Sequence, residues 1–76
     1  MVSPHDARYQ RFLDRLRKAR KEAGVTQERV GKWLKLAEPL VSRIEAGERK
    51  IDPIEFQELC MLYGKPATYF LPDLPV

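Results

Sequence analysis

The chain has one cysteine, one histidine and no apolar run that approaches the ~20 residues of a membrane span. A single cysteine excludes an internal disulfide and leaves too few soft ligands for a metal cluster, so Cys60 is expected to fill core space. The lone histidine, His5, sits near a terminus expected to fray, no glycine-rich stretch could cradle a phosphate, and no pair of carboxylates falls in a pattern that suggests a pocket. Catalysis is therefore not expected, nor a metal or cofactor. The N-terminus lacks a signal-peptide apolar region, which makes a cytoplasmic protein with no membrane partner the expectation. There are no internal repeats, linkers or low-complexity segments. With 76 residues the chain is read as one domain, 1–76, near the size where a single core is just sufficient.

What the chain does have is charge, unevenly placed. Residues 1–50 carry 13 of the 14 basic side chains and 7 of the 11 acidic ones, a net +6, whereas residues 51–76 set Lys65 against Asp52, Glu55, Glu58 and Asp73, a net −3. A phosphate-facing surface would produce such an asymmetry. For the first helix alone a plainer account competes, because Arg8, Arg11, Arg15, Arg17, Lys18, Arg20 and Lys21 would also make a solvated helix face.

The apolar spacing predicts an all-α chain. Ser3, Pro4 and Asp6 suggest a helix start, with serine as cap, proline in the first turn and an acid near the positive end. Tyr9, Phe12, Leu13, Leu16 and Ala19 then follow the helical period to about Ala23, before Gly24 closes the helix in a left-handed conformation. Thr26 caps a second helix on which Val30 and Leu34 share a face, and Val41 and Ile44 share a face of a third. One continuous helix through all four would have to accommodate Pro39 in its interior, so the break falls before it and a third helix spans about 38–46, ending at Gly47. Gly31, without a side chain, would let that helix cross the second closely. Asp52-Pro53-Ile54-Glu55 carries the aspartate and glutamate of a reciprocal cap, which predicts a fourth helix from Pro53 to about Tyr63 before Gly64. Residues 66–71 can form a short fifth helix, and the proline-rich tail 72–76 cannot continue it.

At this point the chain resembles the phage repressor and Cro-type (XRE-like) helix-turn-helix domains over about residues 12–71. Leu16 and Arg20, followed by Gly24-Val25-Thr26-Gln27, are similar to that family's approach to its second helix. Val41-Ser42-Arg43-Ile44-Glu45-Ala46-Gly47 is similar to the end of its third. Glu48-Arg49-Lys50-Ile51-Asp52 resembles a basic loop of one branch. The resemblance implies a bundle of about five short helices containing a helix-turn-helix, as in lambda-repressor-like DNA-binding domains.

If Val41 and Ile44 face the core, Glu38, Pro39, Ser42, Arg43 and Ala46 face outward, with Leu40 at the margin. That face would enter the major groove of DNA, where the Arg43 guanidinium can donate two parallel hydrogen bonds to guanine; a phosphate contact or a solvated arginine are its alternatives. Glu38 and Pro39 depart from the polar residues common in the family here. Glu38 can accept from a cytosine amino group or oppose the approach of DNA, and Pro39 and Leu40 can touch a thymine methyl. Gln27 matches a phosphate-contacting position at a helix start, Arg49 and Lys50 resemble backbone-gripping positions, and Lys32 and Lys35 would add to the field. Lys35 also stands where the family commonly has glycine, and Leu36-Ala37 lacks the usual serine or threonine cap. Arg20 and Glu45 match positions that pair the first helix with the third, a structural role. Trp33 can stack on an unpaired base or pack against the first helix or a flank.

These features suggest a sequence-specific transcriptional regulator of duplex DNA, expected to be a repressor. A domain this small contacts few base pairs, so a homodimer on an inverted repeat is expected, its reading helices about 34 Å apart. The apolar residues Phe56, Leu59, Met61, Tyr63, Tyr69, Phe70 and Leu74 of the acidic C-terminal half exceed what a minimal core needs and make it the expected dimer surface. The alternative is a protein-interaction module, such as an antitoxin or an assembly subunit, that uses the same fold with little base reading.

Overall fold

Asp6 sets the entry into the first helix: its carboxylate accepts the backbone amide of Arg8 at 2.8 Å, and the Arg8 guanidinium folds back onto both carboxylate oxygens. Those hydrogen bonds hold the Asp6 carboxyl down at about 2. The structure, a computed structural model, describes residues 5–71. Ser3 and Pro4, expected to start the helix, lie outside that range. Asp6, expected inside the first turn, is itself the cap of α1 (Ala7–Glu22).

Four further helices follow: α2 (Gln27–Leu34), α3 (Glu38–Glu45), α4 (Pro53–Tyr63) and α5 (Ala67–Phe70). Among the described residues there is no strand, and no helix is long and apolar enough to cross a membrane. Each junction has a local cause. Gly24 takes φ +69° after α1. The Thr26 hydroxyl accepts the Arg29 amide at 3.1 Å to start α2. At the head of α4, Asp52 accepts the Glu55 amide at 2.8 Å while the Glu55 carboxylate accepts the Asp52 amide at 3.2 Å, the reciprocal cap that the spacing implied. The third helix ends at Glu45, one residue early, with Ala46 as its C-cap and Gly47 at φ +80°.

The stripe Phe12, Leu13, Leu16 and Ala19 of α1 is buried, and Val30, Val41, Ile44, Leu59, Tyr63 and Phe70 bring the other four helices into the core. Aromatic rings extend it: Phe12 meets Phe56 at 5.4 Å between centroids, and Phe56 meets Phe70 edge-on at 5.5 Å. The short α5 is fastened by more than Phe70. Arg15 donates to the Tyr69 carbonyl at 3.2 Å, and its guanidinium and the Lys65 ammonium lie 5.4 and 4.9 Å from the Tyr69 ring centre. Cys60 is half-buried against the core, and desolvation pushes its thiol up. Of the apolar C-terminal residues, Leu59, Tyr63 and Phe70 are core, Phe56 and Tyr69 are half-buried, Met61 is exposed and Leu74 lies outside the described residues.

The crossing of α2 and α3 depends on two residues. A Cβ added to Gly31 would meet the Leu36 carbonyl oxygen at 2.7 Å, which is backbone and cannot swing aside. The Lys35 and Leu36 amides both return to the Gly31 carbonyl, which requires Lys35 to be left-handed, at φ 59° and ψ 42°. Lys35 thus holds the left-handed geometry that a glycine would adopt without strain. Two outcomes follow for urea unfolding. Gly31→Ala should destabilise the fold by about 1–3 kcal/mol through enforced backbone displacement. Lys35→Gly should stabilise it by up to about 1 kcal/mol, the left-handed strain relieved on one side and the greater freedom of an unfolded glycine opposing it.

Candidate nucleic-acid interface

Glu38, Pro39, Ser42, Arg43 and Ala46 of α3 and its C-cap are all exposed, and Leu40 is half-buried at the edge of the face. The opposite side is sealed by Val41 and Ile44. Arg43 has no side-chain partner among the described residues, so its guanidinium reaches solvent with all its donors.

How this face is aimed is decided at the C-terminal end of α3. Glu45 is buried, its side chain 7 % exposed, and its carboxylate takes a two-pronged bond from Arg20 of α1 at 2.7 and 3.2 Å. Gln27 of α2 donates to the same carboxylate at 3.1 Å. Arg20 also donates to the Val25 carbonyl at 3.1 Å, and Arg17 donates to the backbone carbonyl of Glu45 and to Asp14. Arg17 thus caps the negative end of α3 from a neighbouring helix. Tyr63 is buried within the field of this network, and its hydroxyl is pushed well up, by desolvation first and by the Glu45 charge second. The N-terminal end of α3 is held less: Ala37 is its N-cap and offers no side-chain hydrogen bond.

Beyond α3, Arg49 forms a fork-to-fork bond with Glu55 at 3.0 and 3.1 Å, half-buried, and that carboxylate raises the Arg49 pKa. Arg49 therefore ties the loop to the head of α4, and Lys50 beside it is exposed. On the other flank, Arg20, Lys21, Gly24, Val25, Thr26, Gln27 and Glu38 line an open groove at the start of α2.

A family model described as a helix-turn-helix domain matches residues 11–68. The chain belongs to the helix-turn-helix domain family. None of the curated proteins compared with the chain matches it. A helix-turn-helix domain is a DNA-binding module whose second motif helix lies in the major groove; in this chain the motif is α2, the Lys35 turn and α3.

Within the helix-turn-helix domain, the basic crowding of α1 largely resolves into internal bonds, with Arg8 on Asp6, Arg15 on Tyr69, Arg17 on Asp14 and Glu45, and Arg20 on Glu45. Lys32 pairs with Glu28 at 3.3 Å on the exposed side of α2, and Lys35 is exposed. Trp33 is tied to a flank, α4. It is 42 % exposed, and its indole N–H donates to Glu58 of α4 at 3.0 Å. The indole needs a polar partner when half-covered, and the acidic α4 supplies one.

Sequence reading missed four contacts here. Arg17 lies three residues before Arg20, so the helical period did place it on the side that meets α3. The Gln27–Glu45, Trp33–Glu58 and Arg49–Glu55 bonds join residues of different elements and carry no local signal. The hub should behave as a buried ion pair: Arg20→Ala strands the Glu45 charge and should cost about 3–5 kcal/mol in denaturant unfolding, whereas Lys21→Ala, one residue along and exposed, should change stability by less than about 0.5 kcal/mol.

Proposed function

We propose that this helix-turn-helix domain is a sequence-specific transcriptional regulator, acting in the cytoplasm as a repressor, with α3 in the major groove of duplex DNA. The observation that carries the reading is the contrast between the two sides of α3. Its outward side chains, Arg43 above all, are exposed and uncommitted, while Arg17, Arg20 and Gln27 fasten its inner end. A polar face held rigid and left without internal partners is suited to reading base edges.

In this assignment Arg43 reads guanine, Ser42 and Glu38 add polar contacts, and Pro39 and Leu40 meet a thymine methyl. At the start of α2 the backbone amides and the second N–H of the Gln27 side chain, whose first goes to Glu45, meet a phosphate, as do Lys50 in the loop and Lys35 in the turn. Arg49 is reassigned from gripping a phosphate to positioning the loop, because its fork is filled by Glu55. Two copies on an inverted repeat supply the contacts that one small domain lacks.

One observation favours the alternative of a protein-interaction module. Glu38 stands in the groove with Gln27 and Thr26, where its charge repels the phosphate that the start of α2 would attract. The two readings separate when bound duplexes are selected from a random-sequence pool at fixed salt. A reader of DNA enriches an inverted repeat, and Arg43→Ala relaxes one base position at a cost of about 1–3 kcal/mol; failure of the wild type to enrich any site sinks direct reading. Salt titration tests the loop. Lys50→Ala should reduce the magnitude of the slope of log affinity against log salt by about one unit, while Arg49→Ala should lower affinity and leave that slope unchanged.

A further inference from the structure

The three large apolar side chains most exposed among the described residues are Trp33, Ile54 and Met61, at 42, 66 and 64 %. They are not scattered. Ile54, Glu58 and Met61 are four and three residues apart on one face of α4, and Glu58 accepts the Trp33 indole, so α2 and α4 join into a single apolar patch with an acid at its centre. Arg29 lies one turn before Trp33 on the same face of α2, exposed and with no side-chain partner among the described residues. The second oxygen of Glu58, Oε1, is likewise unpartnered among them.

We infer that this α2/α4 face is the surface on which a second copy of the chain docks, with Arg29 of each copy against the partner subunit's Glu58. The inference rests on the dimer of the proposed function and locates it. Charge decides the occupant. Helix α4 contains no basic residue, and α2 contains Glu28 and Lys32, paired with each other, and Arg29, so two α4 helices laid directly together would oppose acid to acid. A two-fold axis that sets α2 of one copy on α4 of the other pairs Arg29 with Glu58 twice and buries Trp33, Ile54 and Met61 between the pairs. Size points the same way. A specific interface takes about 800 Å² from each partner, and α4, about 16 Å long at 1.5 Å per residue, presents too little alone.

Sedimentation velocity of the free protein over a micromolar to millimolar range tests the assignment without DNA. The wild type should show a reversible dimer. Met61→Glu, at a position exposed enough to leave the fold intact by circular dichroism, should raise the dimer dissociation constant about tenfold or more. Arg29→Glu and Glu58→Arg should each be monomeric alone and should form a heterodimer when mixed, because the acid introduced at position 29 of one variant then faces the base introduced at position 58 of the other. A wild type monomeric throughout, a Met61→Glu variant that dimerises as the wild type does, or variants that fail to complement overturns the assignment. Site selection reports separately: a dimer that enriches no duplex keeps this surface and loses the regulator, whereas an enriched inverted repeat with dimerisation indifferent to Met61→Glu keeps the regulator and loses the surface.

Discussion

The Glu45 carboxylate is the constraint on which the rest of the fold turns. It is a buried anion that would be strongly unfavourable alone, and it is tolerated because Arg20 and Gln27 saturate it from two other helices. One charge thereby fixes the mutual placement of α1, α2 and α3. A hydrophobic contact at the same place would hold the helices together with less angular definition, since apolar packing is non-directional and a forked guanidinium is not. The Arg17 bond to the Glu45 carbonyl adds a second directional tie within the same residue. The long side chains of α1 reach over the core to determine how an eight-residue helix, too short to be stable alone, is oriented.

The charge asymmetry reads differently once these bonds are counted. A net +6 over the first fifty residues looks like a broad phosphate-facing surface, yet much of it is absorbed by carboxylates and carbonyls of the same chain. What a partner can meet includes the exposed Arg43, Lys35, Lys21 and Lys50. Internal pairing does not erase the long-range potential, because paired charges still sum to the same net value. It does restrict close contacts to a few side chains. A field over a wide area and donors over a narrow one would serve the proposed reading, in which the field brings the domain to DNA and the donors distinguish its sequences.

Where the sequence was legible, the cause was local. Thr26, the Asp52–Glu55 box, Gly24 and Pro39 mark helix boundaries through interactions that span four residues or fewer, and each boundary lies where those residues place it. Arg20 and Glu45 were legible for a different reason, a resemblance that carried long-range information the spacing alone lacks. At the start of α1 the sequence offers both Ser3, outside the described residues, and Asp6, and the guanidinium contact that Asp6 makes is one that periodicity does not register. For Trp33 the sequence left helix one and a flank both open, because the choice is made by Glu58, twenty-five residues on, and nothing near Trp33 encodes that. The Arg49–Glu55 bond escaped the sequence for the same reason over a shorter distance: a basic loop residue invites a phosphate, and the carboxylate across the turn that meets its fork carries no local signal.

The two ends of α3 are held by unlike means, and the difference bears on how such a face can work. At its C-terminal end α3 is fastened by buried, directional bonds. At its N-terminal end it has an uncapped Ala37, a proline in the first turn and a left-handed lysine two residues before the cap. Pro39 restricts the backbone there without any hydrogen bond, and Gly31 pins the turn by steric closeness. The N-terminal end is thus limited by shape and the C-terminal end by chemistry. Distortion at the N-terminal end costs less than distortion at Glu45, since it breaks no buried ion pair. The outward residues of the last turn, Ser42 and Arg43, therefore stand on the better-defined part of the helix, and Glu38 and Pro39 on the part more able to adjust. A side chain that must discriminate between bases to within a few tenths of an ångström belongs on the former. That makes Arg43 the natural centre of the proposed reading face and leaves Glu38 and Pro39 to accommodate the sequence around it.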